Sequence, residues 1–548
     1  MAHALAGKPV QEQDIIDVQT IVDAYFDNVP DMTNPTQLVS FGTSGHRGTS
    51  VDGTFTDLHV AAITQAICDG RKQFGATGPI FVGQDTHALS QPALVTVLEV
   101  LAGNGVTAMV DCDMDFVPTP SVSRAIIRYN EEHDDKADGI IITPSHNPPD
   151  NGGIKYNTII GGPADTVVTK WIEMRANEYL TAYCESEDFK RISIDNIEPT
   201  AQVPYDYKGL YVEELGDVIN MEAIKAAGPK VLVDTLGGSG ASYWNAIKER
   251  YGLDLTIIHD DYDPTFSFMT YDHDGKVRMD CSSTYVMASV INRIGDFDLA
   301  VGNDPDYDRY GIVVSSGLIS ANTFLTLAAR YLFTTRGWKN KGVGKTVVCT
   351  TMIDKWAADA EIPVFEVPVG FKYFSQLLFD GAIGIGGEES AGASFLKKDG
   401  TVWTTDKDGM IMALLSMEIM AVMGKSALKM ADESLEEFGN PSFGRIDAPC
   451  KKEQKQILKQ MSAELITATT VDGDPITNIR TTSLYNDMPI DGVRVETDKG
   501  WFVARPSGTE DLYKIYGESY KGDLGLVALL TAGEEIVNAA LNGTIETE

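Results

Sequence analysis

A single pattern occurs three times in the 548-residue chain and leaves it few architectures to fold into. Each round runs apolar strand, amphipathic helix, strand, and later a further apolar strand that stops at a polar loop. The first round uses 79–82, 91–103, 106–110 and 139–142, and ends in Thr143-Pro144-Ser145-His146-Asn147-Pro148. The second uses 231–233, 241–250, 255–258 and 298–302, and ends in Asn303-Asp304-Pro305-Asp306-Tyr307-Asp308-Arg309. The third uses 346–349, 353–360, 364–367 and 382–385, and ends in Gly386-Gly387-Glu388-Glu389-Ser390. Short apolar strands alternating with helices predict α/β domains, and loops at the C-terminal ends of such strands are where ligand chemistry collects.

The C-terminal part reads differently. A strand over 501–504 runs into Arg505-Pro506-Ser507-Gly508-Thr509-Glu510, followed by a strand over 512–516 and a helix over about 525–541. Linker candidates lie at 204–208, 315–322 and 439–442. The predicted organisation is three tandem α/β domains with mixed sheets (1–207, 208–318 and 319–438) plus a smaller C-terminal α+β domain (439–548), arranged around a central cleft.

Charge narrows the partners. Against 79 Asp+Glu stand 44 Lys+Arg, a formal net charge of −35. Nucleic acid and anionic membrane both reward Lys and Arg, so neither is an expected partner; a small anion in a locally positive cleft is still allowed. Residues 1–10 lack a basic start followed by an apolar run, and the most apolar helical stretch, 410–423, is too short to span a bilayer and contains Ser416 and Glu418. The six cysteines are scattered without a C-x-x-C pair, which fits reduced thiols and a cytoplasmic location.

Each loop carries its own chemistry. Prolines on both sides of Ser145-His146-Asn147 put Ser145 on a stiff, exposed loop, as a reactive hydroxyl requires, although an ordinary Pro-rich turn has the same look. The G-x-S-x-G of a hydrolase elbow is missing. Lys155, shortly downstream, can return to the same place. Asp304, Asp306 and Asp308 alternate, so on extended backbone their carboxylates share one side and repel unless a cation sits among them. Three hard oxygens suit Mg²⁺. An EF-hand is excluded because its sixth position is Arg309 and its twelfth is Ser315; a solvated acidic loop is the plain alternative. Glu388 beside Ser390 suits adjacent sugar hydroxyls. Arg505, Ser507, Gly508 and Thr509 combine a fixed cation, two hydroxyls and a glycine that admits an anion to backbone amides, and Lys514 adds charge. Gly342-Val343-Gly344-Lys345-Thr346 imitates a P-loop, but position 339 is Lys and a strand follows it, not a helix.

Together with Phe41-Gly42-Thr43-Ser44-Gly45-His46-Arg47-Gly48, these loops resemble the α-D-phosphohexomutase superfamily and, within it, the long bacterial-type phosphoglucomutases, over nearly the whole chain. The resemblance implies that Ser145 is the phosphorylated serine and that Asp304, Asp306 and Asp308 hold Mg²⁺ with its phosphoryl group. It further implies that Lys155 is the general base, and that Arg47, Arg309 and His146 belong to the catalytic set. Glu388, Ser390, Gly370 and Lys372 would meet the sugar, with Lys398 placed there by its closeness to the Glu388 loop. Arg505, Ser507, Gly508, Thr509 and Lys514 would grip the non-reacting phosphate. The implied reaction interconverts α-D-glucose 1-phosphate and glucose 6-phosphate, with glucose 1,6-bisphosphate as intermediate and activator, in a monomer or homodimer.

Some positions depart from the family pattern. His87, in Gly83-Gln84-Asp85-Thr86-His87, stands where many members carry Arg. Pro305 and Tyr307 replace the more usual glycines of the metal loop, which predicts a stiffer loop with its ligands intact. Ala391 and Gly392 follow Ser390 where the mannose-tolerant branch has a histidine, which argues against dual mannose activity. Val369-Gly370-Phe371-Lys372 lacks the common Thr of a sugar-ring loop.

Overall fold

The computed structural model describes residues 2–42, 44–184, 189–338, 340–506 and 512–545. The chain divides into two compact units, one of 1–321, 374–381 and 390–428, the other of 322–373, 382–389 and 429–548.

The first unit contains two mixed sheets. In the first, β1 (His46–Thr49), β2 (Ile80–Gln84), β3 (Ala108–Asp111), β4 (Asp138–Ile142), β5 (Asn151–Asn157) and β6 (Gln202–Tyr205) lie in the order β1-β5-β4-β2-β3-β6. Strands β4, β2, β3 and β6 are parallel, while β5 reverses against β4 and β1 against β5. In the second sheet, β7 (Val231–Asp234), β8 (Leu255–Ile258), β9 (Leu299–Gly302), β10 (Gly311–Val314) and β11 (Gly317–Leu318) lie in the order β11-β10-β9-β7-β8. Again β9, β7 and β8 are parallel and β10 reverses against β9.

The second unit repeats the parallel core with β12 (Gly342–Thr346), β13 (Val364–Val367) and β14 (Ile383–Gly387), ordered β13-β12-β14. A short strand β15 (Ala393–Phe395) belongs to the first unit. The threefold pattern is therefore one topology used three times, with each round's third strand beside its first and its first beside its second. In the first two rounds that third strand turns back into an antiparallel neighbour, so the serine loop and the aspartate loop each sit at a hairpin tip.

The sequence pattern comes from burial on both faces. Ile80, Val82, Ile140 and Ile142 point into one core, while Phe81 and Ile141 point into another. Such strands read as unbroken apolar runs.

Two predicted elements move. The strand expected at 346–349 lies at Gly342–Thr346, so the P-loop-like segment is itself the strand. Val347 and Val348 are apolar because Trp501, Val503 and Tyr516 of the C-terminal sheet pack on them. The linker expected at 204–208 is the end of β6, paired with β3 through Asp111–Tyr205, and the start of the helix Tyr207–Val218. Pro204 is tolerated because β6 is an edge strand.

The C-terminal sheet has six antiparallel strands, β16 (Ser442–Pro449), β17 (Thr470–Val471), β18 (Asp474–Thr482), β19 (Pro489–Thr497), β20 (Gly500–Pro506) and β21 (Leu512–Ser519), ordered β16-β21-β20-β19-β18-β17. The helix Gly522–Ile545 carries 21 residues long and apolar enough to cross a membrane by composition. Its Leu529, Leu530, Val537 and Leu541 are buried in the core formed with Phe502, Ala504 and Ile515 of the sheet.

Candidate active site

Ser145 lies at the tip between β4 and β5 with φ +59, the left-handed region that a non-glycine residue enters only under constraint. The constraint is local: its N–H donates to Thr143 Oγ1 at 2.7 Å, and Thr143 N–H donates to Gly153 O at 2.9 Å. The serine expected on an exposed loop is only 1 % exposed. Its hydroxyl turns inward, donating to Asp304 Oδ2 at 2.8 Å with His146 Nδ1 3.4 Å away.

The aspartate loop begins where β9 stops at Gly302. The extended alternation expected from sequence gives way to a turn, with Tyr307 N–H donating to Asp304 O at 2.9 Å and Tyr307 at φ +63. The three carboxylates still converge, one oxygen from each lying within 4.8 Å of the others, all buried. Tyr307 can take the place of a glycine because the facing loop supplies glycines instead. A Cβ on Gly240 would stand 2.4 Å from its buried ring. Ser239 N–H and Oγ both donate to Pro305 O at 2.8 Å, tying the two loops together.

Burial, then the charges of Asp306 and Asp308, push the Asp304 carboxyl well above the usual range. Asp306 Oδ1 and Asp308 Oδ1 are buried without a hydrogen-bond donor among the described residues. Converging hard oxygens with orphaned lone pairs fit a divalent cation such as Mg²⁺.

Cations surround the cluster. Lys155, placed by β5 opposite Ile141, reaches Asp306 Oδ2 at 2.5 Å and Asp308 Oδ2 at 3.0 Å. Burial favours the neutral amine, but Asp306 and Asp308 outweigh it and raise the Lys155 pKa. The residue implied to be a base is thus an ion-paired ammonium in this arrangement. Lys407 Nζ lies 2.9 Å from Asp308 Oδ2. Arg309 N–H donates to Asp304 Oδ1 at 2.9 Å, and its Nη1 donates to Asp280 Oδ2 at 3.4 Å. Arg47 lies on β1, paired with Gly153, and feels the charges of Asp306, Asp308 and Asp304. His146 Nε2 is 3.9 Å from Asp280 Oδ2; burial and then Arg309 drive its pKa well below the usual value, leaving a neutral ring.

Lys407, Asp280 and Thr119, whose Oγ1 donates to Asp306 Oδ2 at 2.8 Å, are absent from the sequence reading. Only the fold, which returns distant segments to one hairpin tip, reveals them. Lys398 goes elsewhere: it is exposed, and its Nζ donates to Ile219 O at 3.5 Å, just beyond the helix Tyr207–Val218. Ser390 belongs to the first unit, and Glu388, Gly370 (φ +131) and Lys372 to the second. Arg505 on β20 and Lys514 on β21 are register partners, two cations side by side, with Asp447 on the other side of Lys514. Ser507, Gly508 and Thr509 lie outside the described residues.

The phosphoglucomutase/phosphomannomutase family matches in all four of its domains: alpha/beta/alpha domain I at 38–182, II at 210–317, III at 320–438, and the C-terminal domain at 447–524. A phosphoglucomutase of Komagataeibacter xylinus is 46% identical over 539 residues, covering 97% of each chain. Phosphoglucomutase 1 of Saccharomyces cerevisiae is 26% identical over 526 residues, covering 88% of each. Among solved structures, the open form of the Paramecium phosphoprotein pp63/parafusin superposes with a TM-score of 0.71 at 20% identity, covering 94% of this chain and 96% of that one. A phosphoglucomutase/phosphomannomutase family protein of Burkholderia thailandensis gives 0.70 at 20% identity, covering 92% and 98%. The chain belongs to the phosphoglucomutase/phosphomannomutase family of the α-D-phosphohexomutase superfamily and is an isomerase of that family.

Proposed function

We propose that the protein interconverts α-D-glucose 1-phosphate and glucose 6-phosphate through a phosphorylated Ser145. The observation that carries this reading is the Ser145 hydroxyl, 2.8 Å from Asp304 in a buried three-carboxylate cluster ringed by Lys155, Lys407 and Arg309. The 46% identical phosphoglucomutase supports glucose as the sugar.

In the forward direction O6 of the sugar attacks the phosphorus of phosphoserine 145. The O6–P bond forms, the Oγ–P bond breaks, and glucose 1,6-bisphosphate results. After the bisphosphate reorients, Ser145 Oγ takes the phosphoryl group from O1, releasing glucose 6-phosphate. Asp304, Asp306 and Asp308 would hold Mg²⁺, which when bound neutralises charge on the transferring phosphoryl oxygens. Lys155 is assigned the attacking hydroxyl's proton and hands it to the departing oxygen, Ser145 Oγ in the first transfer and O1 in the second; surrendering its two carboxylate partners removes the charges that keep it protonated. Lys407, Arg47 and Arg309 supply fixed positive charge, so catalysis is mainly positioning and electrostatics. Arg505 and Lys514 are assigned the non-reacting phosphate, and Glu388 and Ser390 the sugar hydroxyls.

The test assays purified protein with glucose 1-phosphate, Mg²⁺ and a trace of glucose 1,6-bisphosphate, beside Ser145→Ala. Conversion to glucose 6-phosphate that the variant loses is expected. Equal activity in the variant would overturn the phosphoserine route, and inorganic phosphate as main product would make the protein a phosphatase.

A further inference from the structure

The serine loop is held from outside by two residues that have no part in the chemistry above. Asp85, one residue beyond β2, accepts four hydrogen bonds. On Oδ1 they come from His87 N–H at 3.0 Å and Ser90 Oγ at 2.6 Å. On Oδ2 they come from His87 Nδ1 at 2.8 Å and Thr143 Oγ1 at 2.6 Å. Four donors fill the lone pairs of an ionised carboxylate. Thr143 Oγ1 gives its proton to Asp85 and in turn accepts Ser145 N–H. The other ring nitrogen of His87, Nε2, lies 3.0 Å from Asn147 O, at the far end of the same loop. A carbonyl only accepts, and the Asp85 oxygen is already an acceptor, so both ring nitrogens of His87 donate and the ring is an imidazolium. Both side chains are fully buried. Burial disfavours the charged ring, yet Asp85 more than offsets it and raises the His87 pKa.

We propose that His87 and Asp85 form a positioning pair that pins residues 143 and 147 and so holds Ser145 in the left-handed conformation from which its hydroxyl reaches Asp304. The pair rigidifies the loop from both ends: Asp85 through the Thr143 hydroxyl, His87 through the Asn147 carbonyl. Arginine, the residue the family resemblance leads one to expect at 87, also offers several donors without an acceptor. In this chain an imidazolium does that work within a shorter side chain. Neutral variants whose donors all sit on one nitrogen, such as His87→Gln, hold one end of the loop only.

The kinetic arm of the test rests on the glucose phosphomutase reading; the exchange arm does not. For His87→Gln, kcat with glucose 1-phosphate is expected to fall about 10- to 100-fold, as a misplaced nucleophile should, while KM stays within about twofold. Hydrogen–deuterium exchange of the peptide over 143–151 should accelerate, with the helix Ser90–Gly103 and β7–β9 unchanged. His87→Arg should recover most of both losses. Thr143→Val, which removes at nearly equal volume both the link to Asp85 and the acceptor of Ser145 N–H, should reproduce the kcat loss and Thr143→Ser should not; this pair serves if His87→Gln does not fold. Wild-type kcat in His87→Gln, unchanged exchange over 143–151, or a KM that rises in step with the loss of kcat would overturn the inference. A wild-type protein inactive on glucose 1-phosphate would overturn the function reading and leave the exchange result to decide the positioning pair.

Discussion

Ser145 and Asp304 show what burial does to a site built from charges. Burying Asp304 beside two further carboxylates costs stability, and the cost is visible in its raised pKa, caused first by burial and then by Asp306 and Asp308, whereas Lys155, Lys407 and Arg309 overcome burial at Asp308 and hold its pKa low. A carboxyl whose folded pKa is raised stabilises the fold at low pH and loses that advantage as pH rises through the folded pKa, so at neutral pH Asp304 is a burden on the metal-free protein. Asp304→Asn is therefore expected to raise the unfolding temperature in chelator at pH 7 while abolishing mutase turnover; a lower unfolding temperature would contradict this. Asp306→Ala is expected to reduce kcat by about 10²–10³-fold, the scale of losing one preorganised electrostatic group, and to remove the dependence on Mg²⁺ titration. At this scale the sequence shows the candidate reacting groups and hides their supports. Ser145, Asp304, Asp306, Asp308 and Lys155 announce themselves by spacing. Lys407 reaches Asp308 from 99 positions away, and a lone lysine carries no pattern that distinguishes it from solvated surface. Asp85 and His87 stand out only as a departure at His87, and their role exists only once β2 and β4 lie side by side.

At the scale of elements, the serine and aspartate loops are both hairpin tips where a parallel sheet turns antiparallel, and packing against a second loop fixes each tip. Gly240 faces the Tyr307 ring, so Gly240→Ala puts a methyl group 2.4 Å from a side chain that has nowhere to go. Overpacking of this kind costs about 1–3 kcal/mol. The expected result is a lower unfolding temperature together with weaker Mg²⁺ activation; unchanged values of both would show that Tyr307 is not the loop's support. In the C-terminal sheet, Glu496 accepts from Arg494 Nε at 2.6 Å and Arg480 Nη2 at 3.1 Å. Burial opposes the charge, but the two guanidiniums bring its pKa down to about 2. A depressed carboxyl pKa gives stability that is present above the unfolded value and lost as pH falls toward 2. Glu496→Gln should therefore unfold earlier than wild type in urea at pH 7, with the gap narrowing below pH 4.5. Elements buried on both faces, such as β4 and β9, were legible as apolar runs. β18, with its polar and half-exposed positions, was not, and the apolar Val347 and Val348 misled because they serve the neighbouring sheet.

For the whole molecule, the threefold repeat of strands is readable because each round buries its first and third strands completely and closes with an unusual loop. The C-terminal sequence shows two strands where the sheet has six, since alternating antiparallel strands give a weaker signal than continuous ones. Global charge works on a different level from the site. A net charge of −35 surrounds a site in which Arg47, Lys155, Arg309 and Lys407 gather. The proposed substrate, a doubly charged sugar phosphate, would cross the outer field before it meets the inner one, and that field is screened within ~10 Å at 0.1 M salt. The value of kcat/KM is expected to rise as ionic strength increases from low values; a steady fall from the lowest salt would mean that the local cations govern approach. In the proposed reaction Ser145 carries the phosphoryl group between the two ends of the sugar. Mass spectrometry of the peptide containing Ser145, after brief exposure of the protein to glucose 1,6-bisphosphate and then to excess glucose 6-phosphate, tests it most directly. The expected result is one phosphoryl group on Ser145 that appears in the first step, is lost to the sugar in the second at the rate of turnover, and never appears in Ser145→Ala. A protein that turns over substrate while Ser145 stays unmodified throughout would contradict it.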